Sequence, residues 1–188
     1  SLMEMLTEQI ENLYSNNYLL KLGDNFQVFV DSADLWETSS VRSQSEFFEY
    51  WVMPFIRKEN KVCVIISDAM RYEIGEELLT LIRQEDRYSA EIEPVLSMLP
   101  SYTQLGMAAL LPNKELAIAE NETGTVLVDG HSSQGTANRT KILQTALNGS
   151  GQAITAEDFM IMNRDDSREL LKANQVLYIY HNLSLIHI

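Results

Sequence analysis

Apolar residues recur at helical spacing along the first third of the chain. One stripe consists of Leu6, Ile10, Leu13 and Tyr14, and a second consists of Phe47, Phe48, Trp51 and Phe55. Intervals of three or four residues are typical of amphipathic helices, and the second stripe predicts a helix between Gln44 and Ile56. The polar, irregular segment from Gly23 to Ser45 is predicted to connect the two helices. Residues 1–57 are therefore predicted to form a helical segment that precedes the main domain.

From Lys61 onward, short apolar runs rich in β-branched residues alternate with helical stripes. The predicted strands are Val62–Ile66, Tyr88–Leu96, Thr125–Val128 and Val176–Tyr180. The predicted helices are Tyr72–Arg83, Gln104–Leu111, Ala137–Leu147 and Asp165–Lys172, and Gly149-Ser150-Gly151 is predicted to be a loop. Alternating strands and helices favour parallel pairing and a sheet covered on both faces. The predicted fold class is α/β, with a doubly wound, mostly parallel sheet preceded by helices.

Composition and charge narrow the class of protein. The chain has 188 residues, of which 45% are hydrophobic and 22% charged, as in a globular domain or part of one. The net charge of −13 argues against broad binding to nucleic acid. No apolar run approaches the roughly 20 residues that a membrane-spanning helix needs.

One cysteine, Cys63, occurs in the chain, so an internal disulfide is excluded. It lies inside the apolar run Val62–Ile66, where we expect it to be a small buried side chain rather than a reactive thiol. The first residues also lack the basic and apolar regions of a signal peptide. These features predict a cytoplasmic protein.

Polar side chains follow each of the four predicted strands. They are Asp68 after the first strand, Ser101 and Thr103 after the second, Asp129 and His131 after the third, and His181 after the fourth. In open α/β sheets, ligands bind outside the carboxyl ends of the strands. The sequence therefore predicts a functional site assembled from these residues at one edge of the sheet.

Each of these residues also has a purely structural interpretation. Asp68 can bind a divalent cation at the rim of the sheet, or it can cap a helix beginning near Met70. Thr103 can cap the helix that follows it, or its hydroxyl can lie where the free N–H groups of a helix end favour phosphate. His181 can be a zinc ligand or a hydrogen-bonded core histidine. The residues alone leave these alternatives open.

Three motifs occur in a fixed order along the chain. They are Asp68-Ala69-Met70-Arg71-Tyr72-Glu73, then the run from Leu99 to Pro112 (LPSYTQLGMAALLP), then Tyr178-Ile179-Tyr180-His181-Asn182. Together they resemble the PglZ family, the phosphatase-like component of BREX phage-defence systems, whose domain belongs to the alkaline phosphatase superfamily. The resemblance runs from about Trp51 to Asn182. Residues 58–182 are accordingly identified as the N-terminal part of a PglZ domain.

The resemblance implies phosphoryl transfer on two metal ions, usually zinc, by a Thr or Ser nucleophile at a helix N-terminus. By resemblance, Asp68 and His181 are metal ligands, and Thr103 is the nucleophile that also touches metal. Ser101 is the alternative nucleophile. Arg71 is expected to hold a substrate oxygen and Glu73 to orient a neighbouring group, although both are equally interpretable as surface residues.

Two segments depart from this pattern. Asp129-Gly130-His131-Ser132-Ser133 is interpreted as a loop near the site rather than a ligand set, with either serine as a cap for the following helix. Leu183-Ser184-Leu185-Ile186-His187-Ile188 does not match the family, and residues 183–188 are expected to be a non-native tail. Because three ligands are too few for two metal ions, we expect this chain to be an inactive fragment.

Two functional hypotheses follow from the resemblance. The first is a fragment of a metal-dependent phosphatase or phosphodiesterase of a BREX system, acting on a phosphate ester of unknown identity alongside other BREX proteins. The alternative is a catalytically inactive scaffold of the same fold that binds partner defence proteins. A Rossmann-type nucleotide site is disfavoured, because the turn after the first strand, Ser67–Arg71, has no glycine.

Overall fold

A computed structural model describes residues 2–120 and 123–182. The chain divides into two compact units, residues 1–37 and residues 38–188. The predicted non-native tail, residues 183–188, lies outside the described residues. Across the part of the chain that is described, no helix is both long enough and apolar enough to cross a membrane.

The first unit is an extended helical run. It contains α1 (Leu2–Leu13), a π-helical stretch (Tyr14–Leu19) and α2 (Leu20–Ser32), and neither α1 nor α2 has a buried side chain. The predicted N-terminal helix is confirmed. The prediction that a connecting segment begins at Gly23 is wrong, because α2 continues to Ser32. A glycine inside a helix destabilises it by only about 1 kcal/mol relative to alanine, so good helix-forming residues on both sides can keep Gly23 helical.

A parallel three-stranded sheet forms the centre of the second unit. Its strands are β1 (Val62–Asp68), β5 (Gly151–Thr155) and β6 (Val176–Asn182), in the order β1-β6-β5. The register aligns Ile66 with Tyr180 and Ser67 with His181. Thr155 is the partner of Tyr180 on the other side of β6. The chain is thus a mixed α/β protein with its longest strands in parallel.

Helices cover both faces of β6. Tyr178 and Tyr180 belong to the main core, with residues such as Leu105 and Leu143. Leu177 and Ile179 face a smaller cluster that includes Phe159 of α7 (Ala156–Ile161) and Leu170 of α8 (Arg164–Ala173). This alternation follows from the two-residue period of a strand.

Four more helical elements complete the unit. They are the irregular helical segment from Gln44 to Ile56, ending in α3 (Met53–Ile56), then α4 (Tyr72–Gln84), α5 (Thr103–Ala109) and α6 (Gly135–Ala146). The segment from Gln44 to Ile56 includes a short π-helical stretch, and Ser43 caps it with a capping box. The predicted helices at these places are confirmed to within two residues at each end, as are strands β1 and β6.

A second, antiparallel sheet corrects the predicted topology. It contains β2 (Leu116–Ile118), β3 (Val126–Val128) and β4 (His131–Ser132), in the order β2-β3-β4. The predicted third strand therefore exists but is not part of the parallel sheet. Asp129 and Gly130 both have positive φ, 49° and 80°. Such a two-residue turn folds β3 back onto β4 and enforces antiparallel pairing.

One predicted strand and one predicted loop are wrong. Tyr88–Leu96 forms no strand, and only Leu96 makes an isolated bridge, to Ser43. Pro94 has no N–H to donate to a ladder, which disfavours a regular strand there. Conversely, the predicted loop at Gly149–Gly151 ends where β5 begins. Strand β5 begins at Gly151. A side chain does not fit at this position, because a Cβ there would lie 2.9 Å from the Leu143 Cβ.

The expectation that Cys63 is buried is also wrong. Cys63 is exposed, and so is Ile65, on the face of β1 opposite Val64 and Ile66. Helices α7 and α8 cover that side of β5 and β6 instead. Partial desolvation nevertheless raises the pKa of the Cys63 thiol.

Candidate functional site

The first candidate residue, Asp68, is the last residue of β1 and is half-buried. The next residue, Ala69, has a φ of 59°, a left-handed conformation that disfavours residues with a Cβ. Helix α4 begins only at Tyr72, and its N-cap is Arg71, with no side-chain cap hydrogen bond. The interpretation of Asp68 as a helix cap is therefore wrong. No hydrogen bond or ion pair of the Asp68 carboxylate is seen among the described residues, and strained backbone of the kind at Ala69 is often found at functional sites.

His181 lies at the same edge, at the carboxyl end of β6. Its Nδ1 is 3.3 Å from the hydroxyl of Ser67, its register partner on β1. Because side chains alternate along a strand, Ser67 and His181 point to one face of the sheet while Asp68 points to the other with Ile66. Asp68 and His181 thus lie at the carboxyl ends of neighbouring strands, one residue apart in register, with side chains on opposite faces.

Helix α5 is held near β6 by one direct contact and one contact through Arg139. The Tyr178 hydroxyl donates to the Leu110 carbonyl at 2.7 Å. One turn earlier in the helix, the Met107 sulfur is 3.3 Å from the guanidinium of Arg139, which lies over the Tyr180 ring. The C-terminal end of α5 thus packs against Tyr178 of β6, and Met107 in its middle lies beside Arg139.

Thr103 is the first residue of α5, and its side chain is exposed. The N-cap position is Tyr102, whose side chain makes no cap hydrogen bond. The interpretation of Thr103 as an N-cap is therefore wrong, and its hydroxyl is free of that structural role. Ser101, the alternative nucleophile, is also exposed. The convergence of Asp68, Thr103 and His181 on one site stays a prediction.

Arg139 and Tyr180 form a contact that the sequence analysis did not predict. The Arg139 guanidinium lies 4.1 Å above the centre of the Tyr180 ring, and its Nε donates to the Ser133 carbonyl. No acidic side chain described in the structure lies within ion-pair distance of Arg139. A guanidinium held this way keeps its charge available to an anion.

Tyr180 itself is buried, at 7% exposure. Among the described residues, its hydroxyl is the buried side-chain group without a hydrogen-bond partner of regular geometry, and the Arg139 guanidinium lies over its ring. Burial raises the pKa of Tyr180 to about 12, with the charge of Arg139 acting in the opposite direction. The sequence carries no signal for this pair, because Arg139 and Tyr180 lie on separate elements.

Comparison with known proteins identifies the family. The profile of the BREX system PglZ alkaline phosphatase-like domain matches residues 47–183. The chain belongs to the PglZ family. It is 39% identical over 186 residues to the alkaline phosphatase-like protein BrxZ of Escherichia coli O9:H4 (strain HS), and 37% identical over 180 residues to the alkaline phosphatase-like protein PglZ of Bacillus cereus (strain H3081.97). These matches cover 96% and 95% of this chain but 21% of each relative, so the chain spans about a fifth of their length.

Because the family is alkaline phosphatase-like, we asked whether the described residues could bind a divalent metal ion. Within residues 2–120 and 123–182, no group of three or more His, Cys, Asp or Glu side chains could hold a metal ion. Asp68 and His181 point to opposite faces, and the His181 ring is bonded to Ser67. The described residues of this PglZ chain therefore do not make a metal site by themselves.

The remaining predicted residues lie on other elements than α5. Arg71 and Glu73 are exposed at the start of α4. Asp129 is confirmed as part of a turn, and its Oδ1 accepts hydrogen bonds from the backbone N–H groups of Lys114 and Glu115, beyond the other end of α5.

Neither serine of that loop caps α6 in this PglZ chain. The N-cap is Gln134, without a side-chain cap bond, and the Ser133 hydroxyl donates to the Val126 carbonyl. The loop is thus a structural hairpin whose polar groups are largely used by the backbone.

Proposed function

We propose that this chain is part of a phosphoric ester hydrolase of a BREX phage-defence system, with Thr103 as its nucleophile. Its three-stranded parallel sheet would belong to a larger, doubly wound sheet of the alkaline phosphatase type. The observation that carries the proposal is the exposed Thr103 side chain at the start of α5, which makes no cap hydrogen bond among the described residues. Membership of the PglZ family supports the reaction class.

In this proposal the Thr103 oxygen attacks phosphorus as the bond from phosphorus to the leaving oxygen breaks. The hydroxyl proton passes to solvent, and the leaving alcohol takes up a proton. Water then cleaves the phosphothreonine, which returns the hydroxyl and releases phosphate or a phosphate monoester. Ser101 is the alternative nucleophile, two residues earlier.

We assign Asp68, Thr103 and His181 as contributors to divalent metal sites, with zinc as the expected metal. Since they do not form a metal site among themselves, the other ligands would come from parts of the longer protein outside this chain. We accordingly expect the 188-residue chain to lack metal-stimulated turnover that the longer protein has.

Arg71 stays the substrate-binding residue proposed from the family signature. Arg139 is a second candidate, because its guanidinium is half-buried, held by Tyr180 and Ser133, and free of an acidic partner among the described residues. A positioned guanidinium suits two phosphate oxygens at once. Other proteins of the BREX system are the proposed partners, because the matching domain is a BREX component.

The experiment that tests this function is substitution of Thr103 in the longer protein. Thr103→Ala should remove hydrolysis of p-nitrophenyl phosphate and bis(p-nitrophenyl) phosphate with zinc or manganese present. Thr103→Ser should keep a measurable part, because the oxygen survives. Since Thr103 caps nothing, Thr103→Ala should leave the melting temperature nearly unchanged.

Ser101→Ala is the matched control, since it removes the neighbouring hydroxyl. Loss of turnover in Ser101→Ala but not in Thr103→Ala would move the nucleophile by two residues. If both folded variants keep full activity, nucleophilic catalysis from this helix is wrong. A wild-type longer protein without any turnover would favour the scaffold hypothesis instead.

A further inference from the structure

The first unit carries an apolar stripe along most of its helical run. The run from Leu2 to Ser32 is described throughout, and none of its side chains is buried. Large apolar residues, each between 48% and 72% exposed, recur along one side of it. We call them the long stripe, and they are Leu6, Ile10, Leu13, Tyr18, Leu22, Phe26 and Phe29. An exposed apolar surface of this extent typically marks a site of interaction.

The π-helical stretch keeps the long stripe on one side of the run. Its members are three or four residues apart, as in an α-helix, except for the step of five residues from Leu13 to Tyr18. In a regular α-helix, a step of five residues would turn the stripe by about 140°. This step coincides with the π-helical stretch, where the Leu20 N–H donates to the Ser15 carbonyl, five residues earlier. The wider π-helical turn brings Tyr18 back towards the line of Leu13.

Charged residues avoid the long stripe. All acidic residues of the run lie on the opposite side of their own helix, at least about 130° from the middle of the stripe. They are Glu4, Glu8, Glu11, Asp24 and Asp31. The uncharged amides of Gln9 and Asn25 border the stripe. Two copies can therefore pack stripe to stripe without bringing like charges together. Lys21 is the one basic residue in the sequence of the run, which disfavours a membrane surface as the partner.

The spacing of the long stripe is symmetrical about Tyr18. Antiparallel pairing of two copies, with Tyr18 facing Tyr18, places the other members opposite each other to within one residue. The facing pairs are Leu6 with Phe29, Ile10 with Phe26 and Leu13 with Leu22. The aliphatic side chains at one end thus meet the aromatic side chains at the other, so that small and large groups alternate across the contact. A two-fold interface needs this self-complementarity, because both copies use the same patch.

The long stripe also has the area of a stable interface. Side chains of this size and exposure offer on the order of 800 Å² per copy, which is the usual share of one partner. Two of its aromatic rings are already ordered: Tyr18 stacks on Tyr14 at 5.5 Å, and Phe26 meets Trp36 edge-on at 6.1 Å. Pairing would therefore immobilise few further side chains at these positions.

We propose that the first unit is a dimerisation helix, whose long stripe packs antiparallel against the long stripe of a second copy. The surface is independent of the proposed hydrolase activity, because it shares no residue with Asp68, Thr103, Arg139 or His181.

Sedimentation equilibrium of the 188-residue chain, from about 1 to 100 μM, tests the pairing. The mass should rise with concentration towards that of two copies. Leu22→Lys should raise the dimer dissociation constant at least about tenfold, because an ammonium group would be buried in an apolar contact. Leu20→Lys is the matched control, since Leu20 is 58% exposed and Leu22 52% exposed on the same helix. Leu20 lies about 160° away from Leu22, so its substitution should leave the dissociation constant nearly unchanged.

Disulfide cross-linking tests the orientation. In a Cys63→Ser background, Leu6→Cys and Phe29→Cys should form a mixed disulfide when the two variants are combined under mild oxidation. Neither variant should form a disulfide with itself, because positions 6 and 29 are about 35 Å apart along the run.

A chain that stays monomeric up to about 100 μM would overturn the proposal. Equal weakening by Leu22→Lys and Leu20→Lys would also overturn it, since the contact would then not follow the long stripe. A disulfide of Leu6→Cys with itself would show parallel pairing, against the proposed symmetry. A longer protein that is monomeric and is destabilised by Leu22→Lys would show that its own chain covers the stripe, which would overturn the second copy as the partner.

Discussion

Two tyrosines on one strand give a direct test of the core. Tyr178 and Tyr180 are two residues apart on β6 and point to the same face, at 0% and 7% exposure. The Tyr178 hydroxyl donates to the Leu110 carbonyl at 2.7 Å, whereas the Tyr180 hydroxyl has no partner among the described residues. Replacing each tyrosine by phenylalanine removes a hydroxyl that is hydrogen-bonded at Tyr178 and unpaired among the described residues at Tyr180.

The expected effects on the free energy of unfolding have opposite signs. Tyr178→Phe loses a hydrogen bond to the partly buried Leu110 carbonyl, which should cost about 1–3 kcal/mol. Tyr180→Phe removes an unpaired buried hydroxyl and should be neutral or stabilise by about 1 kcal/mol, because the desolvation penalty disappears. The phenyl ring that remains in Tyr180→Phe can still pack under Arg139, so the stacking is retained.

Urea unfolding measures both effects. A Trp36→Phe background leaves Trp51, in the second unit, as the fluorescent reporter. With a slope of about 2 kcal/mol/M, a loss of about 1.5 kcal/mol lowers the midpoint by about 0.8 M. Equal destabilisation by the two substitutions would refute the reasoning, because it would mean that the Tyr180 hydroxyl is hydrogen-bonded in the folded chain.

Three further predictions concern packing, reactivity and helix ends. Gly151→Ala should destabilise the chain by about 1–3 kcal/mol in the same urea assay, because the new Cβ would lie 2.9 Å from atoms of Leu143 and Leu147. Cys63 should react with iodoacetamide more slowly than a free thiol at about pH 8, with its rate rising at higher pH, because its raised pKa lowers the thiolate fraction. Lys61→Met should lower stability by about 1 kcal/mol, read from the melting temperature, because the Lys61 ammonium donates to backbone carbonyls at the end of α8.

The sequence predicts the parallel strands best where apolar residues are continuous. Val62–Ile66 and Val176–Tyr180 are runs of this kind, and both are strands of one sheet. Continuity reflects burial on both faces, which holds for β6. In β1, a continuous apolar run predicts burial on both faces, but one face is exposed at Cys63 and Ile65.

Local patterns could not predict the rest of the sheet. Strand β5 is short and begins with Gly151, so its sequence resembles a turn, and only the close approach of Leu143 explains the glycine. The antiparallel pairing of β3 depends on two positive φ angles at Asp129 and Gly130. That turn is recognisable from the Asp-Gly pair, but the alternation of strands and helices around it favours parallel pairing and so hides its effect on the topology.

The same limit applies to the candidate site. Asp68 and Arg71 stand out in the sequence because they share a motif, yet Arg71 is exposed at the start of α4. Arg139 carries no motif, and it lies at the sheet only because α6 packs along β5, with Thr140 bonded to Ala153. That contact brings the guanidinium over Tyr180, beside the sulfur of a residue one turn after Thr103. The Arg139 guanidinium is therefore held in place by Tyr180 and Ser133, whereas the motif residue Arg71 is exposed at a helix N-cap.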